Sequence, residues 1–472
     1  MRMELSRIAT VLDAVGEQTD NRPVTRVQID SRVVKPGDLF VCLPGERFDG
    51  HSFAADAARN GAAAVLAQQP LPELADVADV PVLLVRDTRK ALGELAAAWR
   101  RMTHSRVIAV TGSAGKTTVK EMIAQTLATE MSVVKNHKNL NNQIGLPLSM
   151  LAASGEEEVW VMEVGISRLG DMEELGPVAC PDLAVIHNIG PAHLEGLGSL
   201  RGVAEAKSTL LDYVQRGGAA IVSKDYPELW EAARRKFPRA RAMSAQDQDA
   251  PYFCAYLGPA GNGGLFLLRL EDERLEVGLP FHGAHFAENI AAAAGAAYRM
   301  GMDIDSITRA LAQVELPDQR FVVRKLGGWT LVDDSYNANP LSMGRAIQAA
   351  ASLAGGRPLA LVLGDMLELG SEAEAEHVRL GESAAASGCA VVVHRGGFAK
   401  AVARGLAKAG FAGRFQELRA GAELPPLLEG LGFGLDEAGG VILVKGSRSS
   451  RMEEFVAALG ERHKHATGGA VS

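Results

Sequence analysis

Between Val107 and Thr118 the sequence reads Val-Ile-Ala-Val-Thr-Gly-Ser-Ala-Gly-Lys-Thr-Thr, and no other stretch carries as much potential chemistry. In the segment Thr111, Gly112, Ser113, Ala114, Gly115, Lys116, Thr117 and Thr118, the glycines let backbone N–H groups approach phosphate oxygens. Lys116 can bridge terminal phosphates, and the Thr117 hydroxyl can ligate magnesium. The strict phosphate-loop pattern has a glycine five positions before Gly115. Val110 stands there, so this is a shortened variant. Apolar residues Val119, Met122, Ile123 and Leu127 follow at helical spacing, giving strand, loop and helix in order. A chance Gly-Lys-Thr in a surface turn would not be framed in this way.

Further polar groups collect at the ends of apolar runs. Val159-Trp-Val-Met162 delivers Glu163 beside the loop, where an acid in a parallel sheet commonly holds magnesium. The ordinary alternative is a strand-end carboxylate facing water. Asn136-His-Lys-Asn-Leu-Asn-Asn-Gln-Ile-Gly-Leu-Pro147 holds four asparagines and a glutamine. That density suggests a loop binding something polar, although Asx-turns would occupy some of them. Asp182-Leu-Ala-Val-Ile186 leads into His187-Asn-Ile-Gly-Pro-Ala-His193. A helix then carries Val203, Ala206, Leu210 and Leu211 inward with Lys207 close to the same face. A lysine so placed would normally snorkel to solvent.

The elements that must position these groups define an α/β chain of three domains. A length of 472 residues exceeds one ordinary core. Residues 1–103 read as a small N-terminal α/β domain, with strands at 38–43, 62–66 and 82–85 and helical stretches near 52–60 and 88–102. Residues 104–315 read as a central P-loop ATPase-like domain with a parallel sheet. It includes strand 219–222, antiparallel hairpins over 251–281 and an alanine-rich helix from Phe286 to Met300. Residues 316–462 read as a C-terminal Rossmann-like domain, doubly wound, with strands at 330–332, 359–363, 390–393 and 441–444. Each of those strands ends in polar residues, which puts the functional edge at the strand C-termini. Val314-Glu-Leu-Pro317 is the candidate hinge, and residues 463–472 form a polar tail expected to fray.

Composition narrows the class. A hydrophobic content of 47% with 51 glycines suits a globular protein rich in tight turns. The net charge of −8 argues against a general nucleic-acid binder but leaves phosphorylated small substrates open. Cys42, Cys180, Cys254 and Cys389 lie far apart, as expected of reduced thiols in the cytoplasm. The N-terminus lacks the apolar segment of a signal peptide, and no run reaches the roughly 18 apolar residues of a membrane span.

Together these motifs resemble the Mur ligases, ATP-dependent amide-forming enzymes of bacterial cell-wall precursor synthesis. The shortened loop is that family's ATP loop. Asn139–Pro147, Asp333-Asp-Ser-Tyr-Asn-Ala-Asn-Pro340, Gly364-Asp-Met-Leu-Glu-Leu-Gly370 and Lys445-Gly-Ser-Arg448 are particular to one branch of it. The resemblance runs from Asp30 to about Glu453. It implies ATP, a UDP-N-acetylmuramoyl-tripeptide and D-alanyl-D-alanine as substrates, two magnesium ions, and carbon dioxide held as a carbamate on Lys207. Neither nucleic acid nor membrane insertion is expected, and a monomer is.

Carried over by position, the resemblance makes Lys116, Lys207 and His193 catalytic. Thr117, Glu163, His193 and the Lys207 carbamate are the implied magnesium ligands. His285 and Asn289 would lie near the adenine, Arg320 near the phosphates and Asp334 near the ribose. Ser31, Arg32 and the 45–51 loop would hold the uridine-diphosphate end. Asn139, Asn141, Asn142, Tyr336, Asn337, Asn339 and Lys445 would line the remaining substrate path. Two departures stand out: Gln319 where glycine commonly precedes the arginine, and Phe286 where asparagine is common. The rival from another class is a P-loop ATPase switch or motor, which predicts a conventional loop. A sister ligase such as folylpolyglutamate synthase shares the short loop, but the 139–147 and 333–340 motifs argue against it.

Overall fold

The computed structural model describes residues 1–15, 21–45, 47–74, 76–77, 79–431 and 439–466. Three α/β units follow one another along the chain. In the first, strands Arg26–Gln28, Asp38–Val41, Ala64–Ala67 and Val82–Leu84 form a four-stranded parallel sheet in that order. Its last helix, Thr88–Met102, starts where the Asp87 carboxylate accepts the Arg89 and Lys90 N–H groups at 2.9 and 3.0 Å. That helix also fastens the unit to the next one. Arg100 donates to Asp182 at 2.6 Å, and the same carboxylate oxygen accepts the Val107 N–H at 2.7 Å.

The second unit is built on a nine-stranded sheet. Seven parallel strands end in an antiparallel extension, Gly263–Leu270 and Glu273–Leu279. Strand Arg106–Thr111 lies between Val159–Glu163 and Leu183–Ile186, and all three run the same way. In the register Val110 pairs with Glu163, and Thr111 with Ile186. The phosphate loop, Glu163 and the 187–193 segment therefore leave the sheet at one level, at its C-terminal edge. Fully buried Val107, Ile108, Ala109 and Val110 hold that central strand in place.

The third unit has a six-stranded sheet in the order 322–326, 329–334, 441–445, 359–364, 391–395, 414–417, antiparallel only at its first pair. Asp334 pairs with Lys445 and Gly364 with Arg395, so its polar strand ends also share one level. One hydrophobic cluster continues from the second unit into the third, joining Ile290 and Ala294 to Met343, Ala346 and Ala350.

Some details differ from the sequence-based expectation. Edge strands 26–28, 133–135, 322–326 and 414–417 are short and each carries a charged residue, so they do not announce themselves. The helix expected across 203–211 ends at Ser208 and tightens into a 3₁₀ turn, Thr209–Tyr213. The closing helix Glu453–Ala466 runs past His463, where fraying was expected, and residues 467–472 lie outside the described residues. No helix among the described residues is long and apolar enough to cross a membrane.

Candidate active site

A cavity of about 390 Å³ opens where the second and third units face each other. It gathers every nucleotide, substrate and metal residue anticipated from the sequence except Thr111, Gly112, Lys207, Ser31, Arg32 and the 45–51 loop. Two glycines shape the phosphate loop beside it. A side chain at Gly112 would collide with the His187 ring at 2.5 Å, and Gly115 takes a φ of +77° at the start of helix Lys116–Leu127. That helix leaves the N–H groups of its first turn free for an anion. Lys116 Nζ rests on the Gly112 carbonyl at 3.0 Å, half-buried. Burial lowers its pKa from the usual lysine value, opposed by the Glu163 charge.

Thr117 and Glu163 are joined directly: the hydroxyl donates to Glu163 Oε2 at 2.9 Å. Glu163 is 2% exposed, so the strand-end carboxylate facing water is not what the fold makes. Asn141 Nδ2 donates to Glu163 Oε1 at 2.6 Å, and Asn136 braces the Glu163 backbone through both its N–H and its carbonyl. The asparagine-rich loop thus divides its work. Asn142 accepts the Gly145 N–H at 2.9 Å at the start of helix Gly145–Ala152, Asn141 holds Glu163, and Asn139, Asn141 and Asn142 all line the cavity. His193 takes a left-handed φ of 55°, a conformation that a non-glycine residue adopts at a cost. Its Nδ1 meets the Glu368 carboxylate of the third unit, which holds that acid below its usual pKa.

Lys207 is fully buried, and its Nζ has no hydrogen-bond partner among the described residues. Burial holds the amine well below the usual lysine range, with the charge of Lys116 adding to the effect. Snorkelling is excluded by this position. So are the obvious salt-bridge partners: Glu205 is paired with Arg235, and Glu163 with Thr117 and Asn141.

From the third unit, Arg320 Nη2 donates to the Thr117 hydroxyl at 3.2 Å while its guanidinium stacks 3.9 Å above the Tyr336 ring. Asp334 accepts Lys445 Nζ at 2.6 Å and the Phe321 N–H at 3.2 Å. Asn339 caps helix Pro340–Ala354 and donates across to the Ser113 carbonyl at 3.0 Å. His285 packs against Phe286 and Phe321 at 4.3 and 4.6 Å between ring centres. Burial, with Arg345 and Lys445 nearby, pushes its pKa down to about 3, so it is neutral. His285 Nδ1 and Asn289 Oδ1 are both buried with no partner among the described residues, two polar atoms available to a planar heterocycle. The Phe286 departure thus supplies an aromatic wall beside them.

The Gln319 departure also acquires a physical meaning. Gln319 and Phe321 bracket Arg320 with φ of 62° and 57°, conformations in which glycine is at ease. Gln319→Gly is expected to raise stability by up to about 1 kcal/mol, where the same change inside a helix would cost a similar amount. Denaturant unfolding checks this, and a lower midpoint for the glycine variant would contradict it.

Away from the cavity, Ser31 and Arg32 lie on the first unit. Asp30 accepts Arg32 Nε at 2.9 Å, and the Ser31 carbonyl accepts Asn60 Nδ2 at 2.9 Å. Glu46, in the 45–51 loop, lies outside the described residues. Glu368, Asn136, Asn188, Glu288 and Arg345 were not anticipated from the sequence. The Gly364–Gly370 motif was a signal for the first, and the asparagine count for the second.

A phosphate loop at a parallel-sheet edge, faced by a separate Rossmann-like unit that supplies cations, defines an ATP-dependent ligase of the Mur type, and the chain belongs to the Mur ligase family. The Mur ligase family catalytic domain matches residues 23–100, the Mur ligase middle domain 110–297, and the Mur ligase glutamate ligase domain 319–448. The chain is 37% identical over 463 residues to the UDP-N-acetylmuramoyl-tripeptide–D-alanyl-D-alanine ligase of Escherichia coli (strain K12), covering 97% of this chain and 98% of the relative. Among solved structures it is similar to MurF from Acinetobacter baumannii, with 31% identity, a TM-score of 0.88 and coverage of 98% and 99% of the two chains. It is also similar to the MurF ligase of Thermotoga maritima in complex with ADP, with 28% identity, a TM-score of 0.82 and coverage of 94% and 99%.

Proposed function

We propose that this chain joins D-alanyl-D-alanine to a UDP-N-acetylmuramoyl-tripeptide at the expense of ATP, as a cytoplasmic monomer. The observation that carries this reading is the convergence on one cavity of the phosphate loop and Glu163 with Arg320, Asp334 and Lys445 of the facing unit. The four cysteines, all free thiols, suit that compartment. We assign domain limits of 1–103, 104–315 and 316–462, the first for the uridine-diphosphate end.

A carboxylate is a poor acylating agent. The tripeptide carboxylate therefore first takes the terminal phosphoryl group of ATP, giving an acyl phosphate and ADP. The dipeptide amine then attacks the acyl carbon, its proton leaves, and inorganic phosphate departs as the amide forms. The first step brings an anion to a polyanion and demands dense positive charge. Lys116 and Arg320 supply it, one from each of the two facing units. Lys445 fixes Asp334 to receive the ribose hydroxyls, and His285 and Asn289 offer their unpartnered atoms to the base.

The donor set suits magnesium, because Thr117 and Glu163 present oxygen atoms, which a hard cation prefers. Thr117, Glu163, His193 and a carboxylated Lys207 would hold it, and when bound it neutralises phosphate charge. Lys207 suits carboxylation: its amine is buried, unpartnered and biased toward the neutral form that reacts with carbon dioxide. Combining the two places an anionic oxygen where an ammonium would repel the cation.

Acceptor dependence tests the reading. Steady phosphate release is expected only with ATP, magnesium, a UDP-muramoyl-tripeptide and D-alanyl-D-alanine all present. Equal turnover without the dipeptide would favour a switch or motor instead.

A further inference from the structure

Glu288 and Arg345 have no part in the chemistry above, yet their contacts end on the phosphate loop. Glu288 lies on helix His285–Met300 of the second unit with its side chain 5% exposed. Arg345 lies on helix Pro340–Ala354 of the third unit and donates from Nη1 to Glu288 Oε2 at 2.8 Å. Its Nη2 meets the Tyr226 hydroxyl. The same Glu288 oxygen accepts Asn188 Nδ2 at 2.9 Å. Asn188 Oδ1 in turn accepts the Ser113 and Ala114 N–H groups at 2.9 and 3.0 Å, and its Nδ2 also reaches the Ala114 carbonyl at 3.0 Å.

We propose that Arg345 and Glu288 are positioning residues that couple docking of the third unit to the shape of the phosphate loop. By turning Ser113 and Ala114 onto Asn188, the relay leaves the N–H groups of the following helix turn to face the phosphates. Its outer end depends on docking. When the third unit withdraws, Arg345 leaves, and the Glu288 carboxylate loses its counter-charge while still bonded to Asn188. Such a charge drives rearrangement of whatever it touches, and here it touches Asn188. Helix Pro340–Ala354 also reaches the loop directly, through Asn339 on the Ser113 carbonyl. Nucleotide affinity then follows the docked population, because a ligand that binds only the docked form sees its affinity reduced by that fraction.

This inference rests on nucleotide binding in the proposed function and not on the identity of the acceptor. The test is calorimetric titration of ADP with magnesium into the full chain and into Arg345→Gln, Glu288→Gln and the double variant. Each single change is expected to weaken ADP binding about tenfold. The double variant is expected to be no weaker than the weaker single, because both break one relay. Arg345→Lys, keeping the charge but losing the fork to Tyr226, is expected to fall between parent and Arg345→Gln, and it carries the test if the glutamine variant does not fold. In steady state the KM for ATP rises while that for D-alanyl-D-alanine stays within about twofold. ADP affinity within twofold of the parent in both single variants, or single effects that multiply in the double, overturns the proposal. If the dipeptide proves not to be the acceptor, the calorimetric result still stands on its own.

Discussion

Replacing Lys207 by alanine is expected to leave a folded enzyme with at most about one-hundredth of its activity, and short carboxylic acids such as formate or acetate are expected to restore part of it. The magnitude is that of losing one charged group at a phosphoryl-transfer centre, typically two to three orders of magnitude, as the carbamate reading requires. The rescue follows from geometry. Lys207 is fully buried, its Nζ has no hydrogen-bond partner among the described residues, and it feels the charge of Lys116, so alanine leaves a hole that a small carboxylate fits in size and sign. A lysine serving only as a salt-bridge partner would behave differently, but Glu205 and Glu163 are engaged elsewhere. Isotope-labelled carbon dioxide provides a second readout, as the carbamate carbon on Lys207 would appear in a spectrum of the active enzyme. Retention of most activity by the alanine variant, or an unmodified Lys207 in a competent liganded complex, would end the carbamate assignment.

Lys116→Ala is expected to abolish measurable turnover with little change in thermal stability. Its ammonium is the one positive charge presented by the phosphate loop itself, and losing one cationic transition-state contact should cost on the order of 3 kcal/mol or more. Stability should hold because Lys116 is half-buried and, among the described residues, its side chain bonds only to the Gly112 carbonyl, so no core group is stranded. The check pairs a phosphate-release assay with a melting curve. Activity within tenfold of the parent would remove Lys116 from its role, and a collapsed melting transition would show that it acts on the fold.

Much of this was written in local sequence. The loop from Thr111 to Thr118 and Glu163 at the end of an apolar run are recognisable because strand, turn and helix each follow from a few neighbouring residues. The polar ends of the C-terminal strands are legible for the same reason. What could not be read depends on contacts between distant segments. The partnership of Glu368 with His193 joins residues 175 positions apart, and neither residue has a local pattern that announces the other. Asn142 lines the cavity as its composition suggested, but its bond to the Gly145 N–H could not be read from the sequence. Lys207 was ambiguous because periodicity places a residue on a helix face but does not say what packs over it. Short edge strands such as Arg26–Gln28 escaped because three residues are too few to show alternation.

The paired left-handed residues around Arg320 make its placement sensitive to what occupies positions 319 and 321. Each costs on the order of 1 kcal/mol of backbone strain. The Phe321 N–H to Asp334 and Tyr336 N–H to Gln319 bonds flank the strained turn while the guanidinium lies against Thr117. Side chains at 319 and 321, where glycine would sit without tension, therefore tie the position of the arginine to the integrity of those two bonds.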